Sequence, residues 1–207
     1  MSELQLSFSG YVCVPYSHNH QSIELKELWE HSKNIEDLHF VTGTFSSDAS
    51  SFFPELANHY LLAKFIDNEK IYSDLKKFNQ ENTSFVFNIE DELFNHEVDG
   101  ETNFLSVYYL EYGRGYDEYQ EIASLLVKKN QVETACLGNM VTFSKIPPKF
   151  KFPYSENIVL MEVASEKSHQ SVKKYCEQTK RDANRRGLTL TNFLSLSLLE
   201  NLKSKVK

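Results

Sequence analysis

Two kinds of hydrophobic pattern alternate along this chain. Residues 157–164 (NIVLMEVA) and 59–66 (HYLLAKFI) are short apolar stretches, typical of β-strands in a buried sheet. Ile71, Leu75 and Phe78 instead recur every three to four residues, which is the spacing of one face of an amphipathic helix. Both patterns occur in each half of the chain, and together they predict a mixed α+β fold.

In the first half, the patterns predict the order β-α-β-β-α-β. Asn19 or Ser22 is expected to cap the first helix, and Asp67 or Asn68 the second. The polar stretch SSDASS is expected to form a loop. The predicted strands are 6–15, 38–45, 59–66 and 83–89, and the first helix is predicted over about 23–33, with Leu25, Leu28 and Trp29 on one face.

In the second half, the same order is predicted again. The acidic stretch 90–102 is interpreted as the link between the halves, and the tail 198–207 as a short helix. The predicted strands are 103–111, 133–144 with a kink at Gly138, 157–164 and 188–196, and the predicted helices are 116–126 and about 166–185.

The two halves also share a sequence motif. NEKIYSDLKKF and SEKSHQSVKKY each follow an apolar strand, and Glu69 and Glu166 within them are 97 positions apart. An internal repeat of this length indicates a duplicated unit. We therefore predict two ferredoxin-like βαββαβ units in tandem, over residues 1–95 and 96–207.

A ferredoxin-like unit covers only one face of its sheet with helices, so the other face has to be buried elsewhere. Packing the two antiparallel sheets against each other buries both open faces within one chain, as an α+β barrel. In NIVLMEVA, Val159, Met161 and Val163 are expected to pack on the helices. Glu162 alternates to the opposite face, together with Ile158 and Leu160.

YLEYGRGYDEYQEIA and IVLMEVASEKSHQSVKKY resemble the dimeric α+β barrel superfamily, and within it a small bacterial domain, the domain of unknown function 1330 group. The resemblance covers about residues 103–195. Of the family's Phe-Pro-Ser at the last strand–helix junction, Ser165 alone matches. The superfamily includes monooxygenases, haem-degrading enzymes and stress-responsive proteins. The resemblance implies a barrel that forms between two chains in the family and within one chain here.

Composition narrows the classes of partner. Hydrophobic residues make up 41% of the chain, which is enough for a core. The net charge of −7 disfavours non-specific electrostatic binding to nucleic acid. Cys13, Cys136 and Cys176 are far apart, which excludes a disulfide framework, and Cys13 and Cys136 lie in apolar stretches as buried small side chains do. We predict a cytoplasmic monomer or homodimer that contacts neither membrane nor nucleic acid.

Glu162 is the candidate catalytic residue, because a carboxylate on an apolar face is desolvated and becomes a better proton acceptor. The competing interpretation is that it pairs with a lysine or lies at a solvated rim. Four groups of residues are candidates for binding a small organic ligand: Tyr109 and Glu111 on a central strand, Arg114 just after it, His39 within a strand, and His59 at the start of another.

His18, His20 and Glu24 have the spacing of half a cupin metal site. That motif needs a β-hairpin, whereas here the histidines precede a helix, so we predict no metal and no cofactor. Three functions stay open: a small-molecule-binding or stress-associated protein, a cofactor-independent or haem-linked monooxygenase or isomerase with Glu162 or a histidine as base, and a non-catalytic protein-interaction module.

Overall fold

Eight antiparallel strands close into a barrel, with helices packed on its outside. The computed structural model describes residues 8–53, 56–78, 82–95, 103–110, 132, 134–144, 158–181 and 190–202. The strands are β1 Gly10–Pro15, β2 Ile35–Phe45, β3 His59–Phe65, β4 Ser84–Asn95, β5 Phe104–Leu110, β6 Thr134–Phe143, β7 Ile158–Val163 and β8 Leu190–Asn201. The helices in these ranges are α1 His20–Glu30, α2 Ser47–Phe52, α3 Asn68–Phe78 and α4 Glu166–Arg181.

The strand order around the barrel is β1-β3-β2-β8-β5-β7-β6-β4, and β4 pairs with β1 to close it. The first half contributes β4-β1-β3-β2 and the second half β8-β5-β7-β6, which is the ferredoxin-like order in each case. The sheets join where β2 pairs with β8 and where β4 pairs with β6. The predicted fold class, two ferredoxin-like units forming an intrachain α+β barrel, is confirmed. The division at residue 95 stays a prediction.

The two halves place their strands in matching registers. Tyr11 of β1 pairs with Lys64 of β3, and Leu105 of β5 pairs with Glu162 of β7. One residue further along each pair of strands, Gly10 faces Phe65 and Phe104 faces Val163. Lys64 and Glu162 therefore hold equivalent positions in the two halves, at the same end of the barrel.

Alternation along the strands separates the barrel interior from the layers beneath the helices. Ile158 and Leu160 belong to the interior cluster, while Val159, Met161 and Val163 pack with α4. The predicted orientation of β7 is confirmed. The interior cluster includes Tyr11, Cys13, Tyr60, Leu62, Phe85, Phe87, Leu105, Val107, Tyr109, Met140, Phe193, Leu194 and Leu196.

The helix caps explain where the helices begin. The Asn19 side chain accepts a hydrogen bond from the Ser22 amide at 2.8 Å, as predicted, and the Asp67 side chain accepts one from the Glu69 amide at 2.9 Å. Ser165 begins α4 in the same way and accepts from the Ser168 amide at 3.2 Å. On α1, Leu25 and Trp29 are buried as expected, but Leu28 is exposed.

Three sequence predictions about irregular segments are wrong. SSDASS forms helix α2, because Ser46 caps it at the Ala49 amide (3.1 Å) and Ala49 is buried in the barrel interior. Residues 90–95 continue strand β4, where they pair with β6, and Leu198 to Asn201 continue strand β8, where they pair with β2. Long-range pairing outweighs local composition in the two strands, and the cap and the burial of Ala49 do so in α2. The predicted helix 116–126 lies outside the described residues.

Gly138 lies on β6 beside an irregularity in β4 between Ile89 and Asp91. A Cβ atom at this position would stand 1.9 Å from the carbonyl oxygen of Asn88. Only glycine allows the two backbones to approach this closely.

Candidate functional site

The two ends of the barrel interior differ in chemistry. At the end where α2 closes the barrel, the interior is filled by aromatic rings. Phe53 contacts Phe85 and Phe193 with ring centroids 5.2 and 5.7 Å apart, and Phe45 lies within 6.0 Å of both of these rings. Aromatic rings therefore dominate the described side chains at this end. The opposite end carries the polar side chains.

At that polar end, Tyr11, Lys64 and Glu162 form a hydrogen-bonded network across the interior. The Tyr11 hydroxyl donates to Glu162 Oε1 at 2.5 Å, and Lys64 Nζ lies 2.7 Å from the same oxygen. Tyr11 and Glu162 are buried, at 2% and 7% exposure, while the Lys64 side chain keeps 23% of its surface exposed. We call these three residues the polar triad.

Electrostatics set the protonation states of Lys64 and Tyr11. Burial disfavours the charged form of Lys64, but its neighbours, first the Glu162 carboxylate and then Asp37, together outweigh this effect, and the pKa of Lys64 is raised. Burial, followed by the negative charge of Glu162, raises the pKa of Tyr11 well above its usual value. Tyr11 is therefore a neutral hydrogen-bond donor, and Lys64 is a cation.

Aromatic and acidic side chains surround the Lys64 ammonium. It lies 5.0 Å from the centroid of the Phe8 ring and 5.5 Å from that of Tyr11. The Phe8 ring meets the Tyr11 ring edge-on at 5.3 Å. Asp37 pairs with Lys64 in the strand register and adds negative charge near the ammonium.

Cys136 lies on the neighbouring strand β6 and is buried. Burial, together with the negative charge of Glu162, raises the pKa of its thiol. A protonated, inaccessible thiol is a poor nucleophile. Cys13 is also buried, so both cysteines are small core side chains, as predicted.

Of the predicted site residues, the structure describes Glu162, Tyr109, His39 and His59, which lie at different places in the barrel. Glu162 faces the interior and pairs with a lysine, which was the competing interpretation. Tyr109 is buried in the interior but is the sixth residue of β5, toward the aromatic end. His39 pairs with interior Leu62 and is half-buried, whereas His59 is exposed at the start of β3. Glu111 and Arg114 lie outside the described residues.

Sequence reasoning missed Tyr11 and Lys64. Lys64 is a charged residue inside the apolar stretch HYLLAKFI, and its position alternates with those of Leu61 and Ala63, which pack beneath the helices. This alternation was the available signal that Lys64 faces inward. Tyr11 carried no comparable signal, because aromatic residues are common in strands.

The candidate metal motif does not assemble. His20 Nδ1 lies 3.3 Å from Glu24 Oε1 on exposed helix α1, while the His18 ring packs against Tyr16. Across the described ranges, no group of three or more His, Cys, Asp and Glu side chains is arranged to hold a metal ion.

A second buried polar contact lies between α4 and the sheet. His169 Nδ1 is 3.0 Å from the Ser106 hydroxyl oxygen, and its ring stacks on Phe104 at 5.0 Å. Burial, together with the positive charge of Lys173, lowers the pKa of His169. This histidine lies between α4 and the sheet rather than in the barrel interior, and it links α4 to β5.

Thirteen chains of known structure match this one. A haem-binding protein from Thermus thermophilus has a TM-score of 0.50 and 10% identity, over 93% of this chain and 92% of that one. A candidate monooxygenase from Fusobacterium nucleatum has a TM-score of 0.44 and 11% identity, over 97% of this chain and 96% of that one. A candidate monooxygenase from Lactobacillus acidophilus has a TM-score of 0.41 and 11% identity, over 95% of both chains. The Thermus match supports the α+β barrel fold; the other two are too remote to carry an argument.

No protein-family model matches the chain, and no curated protein is similar to it. The likeness of the second half to a domain of unknown function therefore stays a resemblance. None of the described helices is long and apolar enough to cross a bilayer.

The first prediction concerns the Lys64–Glu162 pair. Lys64→Met leaves a buried carboxylate without its cation, and we expect it to lower the free energy of unfolding by about 1–3 kcal/mol, less than for a fully buried pair because Lys64 is partly exposed. The charge-exchanged variant Lys64→Glu/Glu162→Lys is expected to recover part of that loss, because the two positions are equivalent in the two halves. Urea denaturation measures each value.

Lys26 and Glu30, 2.6 Å apart on the surface of α1, provide the control pair. Lys26→Met is expected to cost about 0.5 kcal/mol or less. Equal costs for Lys26→Met and Lys64→Met, or no recovery on charge exchange, would contradict a specific buried pair.

The second prediction concerns His169 and pH. Its folded pKa lies below the unfolded value of about 6.5, so its contribution to stability is complete above pH 6.5 and is lost as pH falls toward the folded pKa. The slope contributed by one such group is at most about 1.4 kcal/mol per pH unit. Between pH 7 and 5, His169→Gln should flatten the stability profile measured by urea denaturation, whereas His31→Gln at an exposed position should not. A His169→Gln profile parallel to that of the wild type would refute this role.

Proposed function

We propose that this chain binds a small organic molecule at the polar end of its barrel, where Tyr11 and Glu162 are the groups that orient it and Lys64 is their cationic partner. The observation that carries the proposal is the buried hydrogen-bonded triad on an otherwise apolar interior. A few convergent polar groups set in an apolar, concave surface are typical of small-molecule sites. A buried ion pair is often not needed for stability, because apolar residues of similar size frequently stabilise a fold as well or better. A role in binding is therefore a reason for the pair to be present.

A second candidate is a proton-abstracting enzyme, either an isomerase or a monooxygenase, with Glu162 as the base. The short hydrogen bond from Tyr11 supports it, because the phenol would remain as a proton donor beside the carboxylate once Lys64 moved aside. The structural neighbour with a TM-score of 0.50 is named as a haem-binding protein, and it is related to this class by fold analogy only.

The described interior suits a cofactor-independent version of this enzyme better than a haem-linked one. The rings of Phe85, Phe87 and Phe193 occupy the interior toward the aromatic end. Burial raises the pKa of the Cys13 and Cys136 thiols, so neither is disposed to ligate iron as a thiolate.

Native mass spectrometry of freshly purified protein, beside its denatured mass, tests the binding proposal. We expect excess mass in the native wild type that is lost on denaturation. Glu162→Gln and Tyr11→Phe should remove it, because each breaks the network that orients the ligand. Tyr72→Phe, which removes a hydroxyl bonded to Asn88 outside the barrel, should retain it.

A wild-type mass equal to the apo mass, or excess mass retained in both triad variants, would contradict binding at this end of the barrel. Turnover of the co-purified compound by the wild type, but not by Glu162→Gln, would establish the second candidate.

A further inference from the structure

The Lys64 ammonium occupies surroundings that suit any ammonium ion. The Phe8 and Tyr11 ring centroids are 5.0 and 5.5 Å from Nζ, and Glu162 Oε1 is 2.7 Å away. Aromatic rings beside a carboxylate form the usual recognition site for organic cations, since the ring quadrupole and the anion both attract positive charge. Here the cation is supplied by the chain itself.

Of the two charged partners, Lys64 is the one free to leave. Its side chain is 23% exposed and has a long flexible stem, so its ammonium has a path to water. The Glu162 side chain is 10% exposed, and the Tyr11 hydroxyl holds its carboxylate in place. Displacement of Lys64 would therefore leave an intact acceptor site rather than a collapsed one.

The charge that remains at this end of the barrel also selects a cation. Without the Lys64 ammonium, Glu162 and Asp37 both present negative charge to the space it occupied, because Asp37 pairs with Lys64 in the strand register. An anionic ligand in that space would meet repulsion from both carboxylates.

We propose that the polar end of the barrel recognises a small organic ammonium ion carrying an apolar body, and that Lys64 is a built-in occupant which the ligand displaces. This inference rests on the proposed binding function and names the chemical class of the ligand. Because the internal ammonium competes, the apparent affinity of the wild type is reduced by the fraction of molecules in which Lys64 occupies the site. Removing the Lys64 side chain removes that competition.

Chemical rescue tests the proposal with three probes of similar size: n-propylammonium, propan-1-ol and propionate. Each is titrated into wild type and Lys64→Ala at constant ionic strength, and the dissociation constant is obtained from the rise of the melting temperature with probe concentration. We expect saturable stabilisation of Lys64→Ala by n-propylammonium alone, with a Kd at least about tenfold lower than in the wild type. Adding Glu162→Gln to Lys64→Ala should abolish the rescue.

Lys26→Ala is the matched control, because it empties an ion pair on the surface of α1 that lies outside the barrel. It should show no saturable response to n-propylammonium. If Lys64→Ala fails to fold, Lys64→Val leaves similar space and suits a β-strand better. The same expectations hold for that variant.

The outcomes separate the ligand class from the site. Saturable stabilisation by propionate or propan-1-ol but not by n-propylammonium overturns the ammonium assignment and leaves a binding site at this end. Rescue that survives Glu162→Gln also overturns the assignment. No saturable effect of any probe on either Lys64 variant contradicts both this inference and the proposed binding function.

Discussion

The ion pair between Lys64 and Glu162 is the contact that distinguishes the two ends of this barrel interior. The two residues stand at equivalent register positions in the two ferredoxin-like halves, and their side chains meet across the interior at 2.7 Å. Glu162 is buried and Lys64 is partly exposed, and each charge is stabilised by the other. The pair makes the end of the barrel at which it lies polar.

The side chains in the rest of the interior differ between the two ends of the barrel. At the other end, α2 closes the barrel with Ala49 and Phe53, and the aromatic rings around Phe85 form a packed layer. The described residues at that end are mostly aromatic, whereas the ion pair and the Tyr11 hydroxyl lie together at the opposite end. The position equivalent to Tyr11 in the second half is occupied by Leu105, which has no hydroxyl. The two halves therefore differ here: Tyr11 donates a hydrogen bond to Glu162 and holds that side of the ion pair in place.

The fold could be predicted because each strand and helix carries its own signal in hydrophobic period. NIVLMEVA alone was sufficient to place Val159 and Met161 beneath a helix and Glu162 inside. The triad could not be predicted in full, because Tyr11 and Glu162 are 151 positions apart and their contact depends on how the barrel closes. Helix α2 was missed for a related reason, since its polar sequence gives no sign that Ala49 reaches the interior.

The measurement that tests this account most directly is a comparison of wild type with Lys64→Met/Glu162→Leu, in which apolar residues of similar size replace the pair. If the pair serves ligand recognition, the double variant should match or exceed the wild type in free energy of unfolding and should lose the mass excess seen by native mass spectrometry. A double variant that loses stability and still carries the ligand would contradict the account, because the pair would then be a structural contact and the binding site would lie elsewhere.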